Sequence, residues 1–188
     1  MEMLKDGILY GMKENLNIQF VYPGYELPAA YHETIETIDH TKIKPAALAA
    51  GADIVVLDGA LGVDAFVPAD GVVYVLRWSK EELFGGVPSI SRLLEKVARL
   101  NVVITDVETF DDDDFNKYRE ALAELSGGLE RLYVAGKNPQ LNLLTDRVML
   151  TGMNHCGAGD TSITLAPDGR FMSVPRFTNR QADMLSVR

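Results

Sequence analysis

"GVVYVLRWSKEELFGGVPSISRLLEKVARLNVVITDVETF", residues 71–110, decides the fold. Its two ends, "GVVYVLRW" (71–78) and "NVVITDVETF" (101–110), are short, rich in β-branched residues and apolar on both alternations. A strand that is covered on both faces reads that way. Between them Ile90, Leu93, Leu94, Val97 and Leu100 recur at helical spacing. Strand, helix, strand in that order is a βα crossover between parallel strands.

The same alternation extends in both directions. "IQFVYP" (18–23), "DIVVLDG" (53–59) and "RLYVAG" (131–136) are further strands, giving about five in all. A second helix carries Phe115, Tyr118, Leu122 and Leu125, and both helical stripes are expected to face the sheet. It opens at "DDDDF" (111–115), where carboxylates accept the free amides of the first turn and meet the positive end of the helix dipole. Gly127 and Gly128 are its expected stop. The fold class is therefore α/β, a mostly parallel sheet with flanking helices, either a partial TIM-barrel-like array or an open doubly wound sheet.

At the N-terminus a helix over "MLKDGILYGMKENL" sets Leu4, Ile8, Met12 and Leu16 on one face. Parallel α/β domains usually open with a strand, so the expectation is either a further strand upstream or a helix packed by itself on an edge. After residue 150 the character changes. "TGMNHCGAGDT" is irregular and Gly-rich, and "SITLAPDGRFMSV" reads as two short strands around Pro167-Asp168-Gly169. The organisation expected is an α/β domain over 1–150, then a Gly-rich loop, a β-hairpin and a loose tail over 151–188.

Composition narrows the function. The 188 residues are enough to bury a sizeable core, and 47% hydrophobic with 24% charged residues is a globular balance. A formal net charge of -9 opposes binding to phosphate backbones, so no nucleic-acid partner is expected. The sequence shows neither a membrane span nor a signal peptide, and the expected location is cytoplasmic. One cysteine cannot form an internal disulfide, nor by its own thiolate complete an iron–sulfur cluster or a thiolate zinc site.

Candidate chemistry gathers in three places. Asp58, Asp106 and Glu108 lie near the carboxyl ends of strands, where open sheets and barrels place ligands. If the strand continued, 106 and 108 would share a face; the competing role for all three is capping helices or loop amides. "VAGKNPQ" (134–140) follows a strand with Lys137 and Asn138 and offers an anion or substrate contact, without the spacing of a phosphate loop; an exposed turn is the plainer account. Cys156 stands beside His155 with Asp160 four residues on. That invites a nucleophile or a metal site with His32 or His40, against the plainer role of a structural cysteine in a tight loop.

Several blocks together carry a resemblance: "MKENLNIQFVYPGYELP" (12–28), "IETIDHTKIKP" (35–45), "NVVITDVETF" (101–110), "GKNPQLNLLTDRVMLTGMNHCGAG" (136–159) and "CGAGDTSITLAPDGRF" (156–171). They resemble the CXXX repeat peptide maturase family, proteins found beside radical SAM enzymes that modify small Cys-repeat peptides. The last block looks like the start of a SPASM-type segment, in which a first cysteine precedes a glycine loop and an "APDG" hairpin and a second cysteine follows. The resemblance makes Cys156 the first cluster ligand. Where the second is expected stand Ser173 and Val174, and the chain has no CxxxCxxC triplet. It therefore implies a shortened or diverged member, or a subunit whose cluster belongs to a partner, with Cys156 a vestigial ligand and no cofactor of its own. The expected partners are a radical SAM peptide maturase and a Cys-repeat precursor peptide. The rival expectation is a small-molecule or metal-dependent hydrolase using Asp58, Asp106 and Glu108.

Overall fold

A computed structural model describes residues 1–59, 67–148 and 162–172. The chain divides into two compact units, Asn17–Leu150 and Met1–Leu16 with Thr151–Arg188.

The larger unit is α/β. Its elements in chain order are β1 (Gln19–Val21), α2 (Ala29–Ile35), β2 (Thr41–Pro45), β3 (Ile54–Asp58), β4 (Val73–Trp78), α3 (Lys80–Leu94), β5 (Arg99–Ile104), α4 (Asp112–Val134), β6 (Gln140–Leu141) and α5 (Thr145–Val148). The six strands lie side by side in the order of the chain, and every neighbouring pair is parallel. A doubly wound sheet reverses its strand order at a switch point. Without a reversal, right-handed crossovers carry the connecting segments to the same face, as in a barrel wall. The sheet thus takes the barrel-like one of the two expected arrangements.

Residues 71–110 fold as strand, helix and strand, but α3 ends at Leu94, so Val97 lies beyond the helix, and Leu100, counted on the helical stripe, belongs to β5, which ends at Ile104. One face of β4 and β5 is buried and the other only partly covered. Strand β4 buries Tyr74, Leu76 and Trp78, and in register beside them lie Leu100, Val102 and Ile104 of β5. Against this face α3 sets Leu83, Val87, Ile90, Leu93 and Leu94, and α4 adds Ala121, Leu125 and Leu129. Leu57, Leu76, Leu83, Ile90, Leu100 and Leu125 have no exposed surface. Burial of this kind stabilises by roughly 1.5–3 kcal/mol per large side chain and supplies most of the stability of the unit. The backbone of Gly86 runs against the Trp78 indole so closely that a Cβ there would lie 2.3 Å from a ring carbon.

Four expectations are corrected. "RLYVAG" is not a strand: α4 continues to Val134, and the sixth strand is Gln140–Leu141. The helix also passes through Gly127 and Gly128. Gly128 lies against Ser91 of α3, 3.5 Å from where its Cβ would be, and the helix ends at Val134, two residues before Gly136, whose φ is +82°. The helix thus carries both glycines at a cost of about 1 kcal/mol each, while its buried Ala121, Leu125 and Leu129 join the core. Strand β2 stands where no strand was expected, because "TKIKP" has a single apolar residue, Ile43, between lysines. Phe115 is half exposed and packs on Phe110, ring centroids 5.3 Å apart, rather than on the sheet.

The smaller unit contains α1 (Glu2–Lys13) and a hairpin of β7 (Thr164–Leu165) and β8 (Phe171–Met172). The hairpin is as expected. The Gly169 amide donates to the Ala166 carbonyl at 2.9 Å, Gly169 takes φ +81°, and the Asp168 carboxylate accepts the Arg170 amide at 3.0 Å. Helix α1 meets it with Met3, Gly7 and Tyr10. A Cβ on Gly7 would lie 2.5 Å from Leu165, and the Tyr10 and Phe171 rings are 5.8 Å apart. The predicted face of Leu4, Ile8, Met12 and Leu16 is only half used: Ile8 is buried, whereas Met12 and Leu16 are exposed.

Candidate functional site

The carboxyl ends of the strands collect the acidic candidates, and each is held differently. Asp58 closes β3 beside Arg77 of β4, its register partner. Alternation turns both away from the Leu57 and Leu76 face, and Arg77 Nη1 donates to Asp58 Oδ1 at 3.2 Å. The guanidinium side chain is largely covered and the carboxylate half exposed.

Asp106 works across the chain. Its Oδ1 accepts the backbone amide of Lys80 at 2.8 Å, the first residue of α3. That amide has no partner inside its own helix, and a carboxylate there also meets the positive end of the dipole. Glu108 does not join it. Strand β5 ends at Ile104, Val107–Thr109 form a 3₁₀ turn, and the alternation that would put 106 and 108 on one face stops short of both. Glu108 stands exposed on that turn.

The four aspartates behave as a helix start. The Asp111 side chain accepts the Asp114 amide at 2.9 Å, and Asp114 returns the bond to the Asp111 amide at 3.2 Å, a reciprocal cap. Asp114 is nearly buried and takes the Lys80 ammonium at 2.5 Å; Lys80 also donates to the Thr109 carbonyl at 3.1 Å. The Lys80 hydrogen bond holds the Asp114 carboxyl below its ordinary pKa, helped by the bond to the Asp111 backbone, while partial desolvation opposes. The same hydrogen bond raises the Lys80 ammonium. A carboxylate stabilised in its charged form is a poor proton acceptor. Lys80 is the residue that sequence reading missed. It ties the starts of α3 and α4 together, and nothing in "WSKEEL" marks the 34-residue span of that contact.

The remaining candidates lie elsewhere. Lys137 reaches back to the Glu95 carbonyl at 2.9 Å, a cation on the C-terminal end of α3, and Asn138 is exposed in the turn before β6. His32 stacks on Tyr22, ring centroids 6.2 Å apart. His40 places Nδ1 2.9 Å from the Ile38 carbonyl and Nε2 3.3 Å from the Tyr22 hydroxyl. Since a carbonyl only accepts, Nδ1 carries the proton in the neutral ring and Nε2 accepts from the tyrosine. Both histidines thus join α2 and its following turn to strand β1. Among the described residues no group of three or more His, Cys, Asp or Glu is placed to hold a metal ion. His155, Cys156, Asp160, Ser173 and Val174 lie outside the described residues.

No family model, no curated protein and no solved structure matches the chain. An iron–sulfur cluster, which the resemblance implies for the family, does not fit the residues present, because one thiolate is the whole supply.

Two further features bear on binding. A hollow of about 580 Å³ is lined by Ala46, Ala49, Ala52, Val55, Val72 and Tyr74 among others, and none of the candidate residues borders it. At the start of the sheet, β1 pairs only with β2 among the described strands. The Ile18 carbonyl accepts from Thr41 and the Tyr22 amide donates to Ile43, so the alternate residues, Gln19 and Val21, direct their backbone groups to the outer side. Val21 is 54% exposed. No lysine or proline blocks these three residues, the usual protection of an edge. Among the described residues, no helix is long and apolar enough to cross a membrane.

Proposed function

We propose that the chain is an accessory, cluster-free component of a cytoplasmic radical SAM-associated system that modifies Cys-repeat peptides, and that it binds the peptide as an added strand on β1. The observation that carries the binding mode is the outward backbone row at Gln19 and Val21. An extended peptide supplies the matching donors and acceptors, and main-chain pairing tolerates the sequence variation of a repeat. The resemblance supplies the system and the substrate class. The hydrolase reading has less support, since Asp58 is paired with Arg77, and Asp106 holds the α3 amide. Both serve the structure.

The test mixes the purified chain with a synthetic Cys-repeat peptide and, separately, with a radical SAM peptide maturase from such a system. Peptide binding is expected to slow hydrogen exchange at the Gln19 and Val21 amides. Val21→Pro removes only an outward-facing N–H, so it should keep the fold and lose the complex. Binding to neither probe overturns the reading. Hydrolysis of a small ester or amide that disappears in Asp58→Asn or Asp106→Asn with the fold intact would replace it with the hydrolase.

A further inference from the structure

We draw no further inference here: the strongest candidate, the exposed apolar side chains Leu9 and Met12 on helix α1 with Leu16 just beyond its end, carries nothing because nothing in the structure shows what covers them.

Discussion

Strands β4 and β5 and strands β1 and β2 belong to one parallel sheet, and their side chains are covered to different degrees. The central pair runs in register over five positions, and its core-facing side chains from Tyr74 to Val102 are at most 3% exposed. The edge pair runs over three. Beside a small buried set, Tyr22, Ile35 and Ile43, its side-chain links are mostly polar: Lys42 Nζ to both oxygens of Glu36 at 2.8 Å, the Lys42 amide to Asp53 at 2.7 Å, Tyr22 to His40, and Lys44 above the Tyr22 ring. Exposed ion pairs of this kind contribute little, typically under about 1 kcal/mol. The centre thus carries most of the buried apolar surface, and the edge leaves the backbone groups of Gln19 and Val21 directed outward.

The largest test of that division is in the centre. Trp78→Ala or Leu100→Ala removes a fully covered side chain and should cost about 2–5 kcal/mol, read from the midpoint of chemical unfolding. A loss near zero would mean that the centre is not the stabilising core.

Two adjacent glycines of α3 sharpen the point. At Gly86 an added methyl meets the rigid, buried indole of Trp78, so Gly86→Ala should destabilise by roughly 1–3 kcal/mol. Gly85 faces open space, and Gly85→Ala should stabilise by about 0.5–1 kcal/mol through helix propensity alone. Equal shifts in thermal midpoint for the two variants would contradict the close approach.

Capping comes next. Asp111→Ala leaves the Asp114 amide without its acceptor and should cost about 1 kcal/mol in the same unfolding measurement. On the edge, Val21→Ala should change stability by less than about 0.5 kcal/mol, as a surface substitution does. A loss as large as that of Leu100→Ala would show that β1 is packed like the centre.

Acid supplies the last comparison. Asp114 titrates lower in the folded chain than its ordinary value near 3.9. Its contribution is therefore present above that value and fades as pH falls through the folded pKa. Asp114→Asn should flatten the acid limb of the unfolding midpoint plotted from pH 6 to pH 2. Lys80 has the mirror behaviour, with a raised folded pKa whose contribution is complete below about 10.4 and lost as pH climbs through it. An acid limb unchanged in the asparagine variant would sever Asp114 from Lys80.

The central βα unit and the hairpin were legible because their signals are local. Short runs rich in β-branched residues over 73–78 and 99–104 and the turn at Pro167-Asp168-Gly169 each declare themselves within ten residues. The capping role of the acidic run was legible for the same reason, since a cap acts over three residues. Strand β2 was not. Its lysines find partners on Glu36 and the Ala50 carbonyl, and a strand whose polar side chains are satisfied by neighbouring turns shows no apolar pattern. The end of α4 was not legible at Gly127 and Gly128 because a glycine ends a helix only where it takes a positive φ, and along this stretch Gly136 does so.

For this chain, the residues alone determined an α/β class with parallel strands, an acidic helix start, a C-terminal hairpin and too few thiolates for a cluster. Those follow from periods of two and 3.6, from turn chemistry and from counting. Tertiary structure alone decided the unreversed order of the six strands, the pairing of Asp58 with Arg77, and the contacts of Asp106 and Asp114 with Lys80 over 26 and 34 residues. A charged side chain can satisfy many partners equally well in sequence. Only the fold, by setting which helix start meets which strand end, selects one.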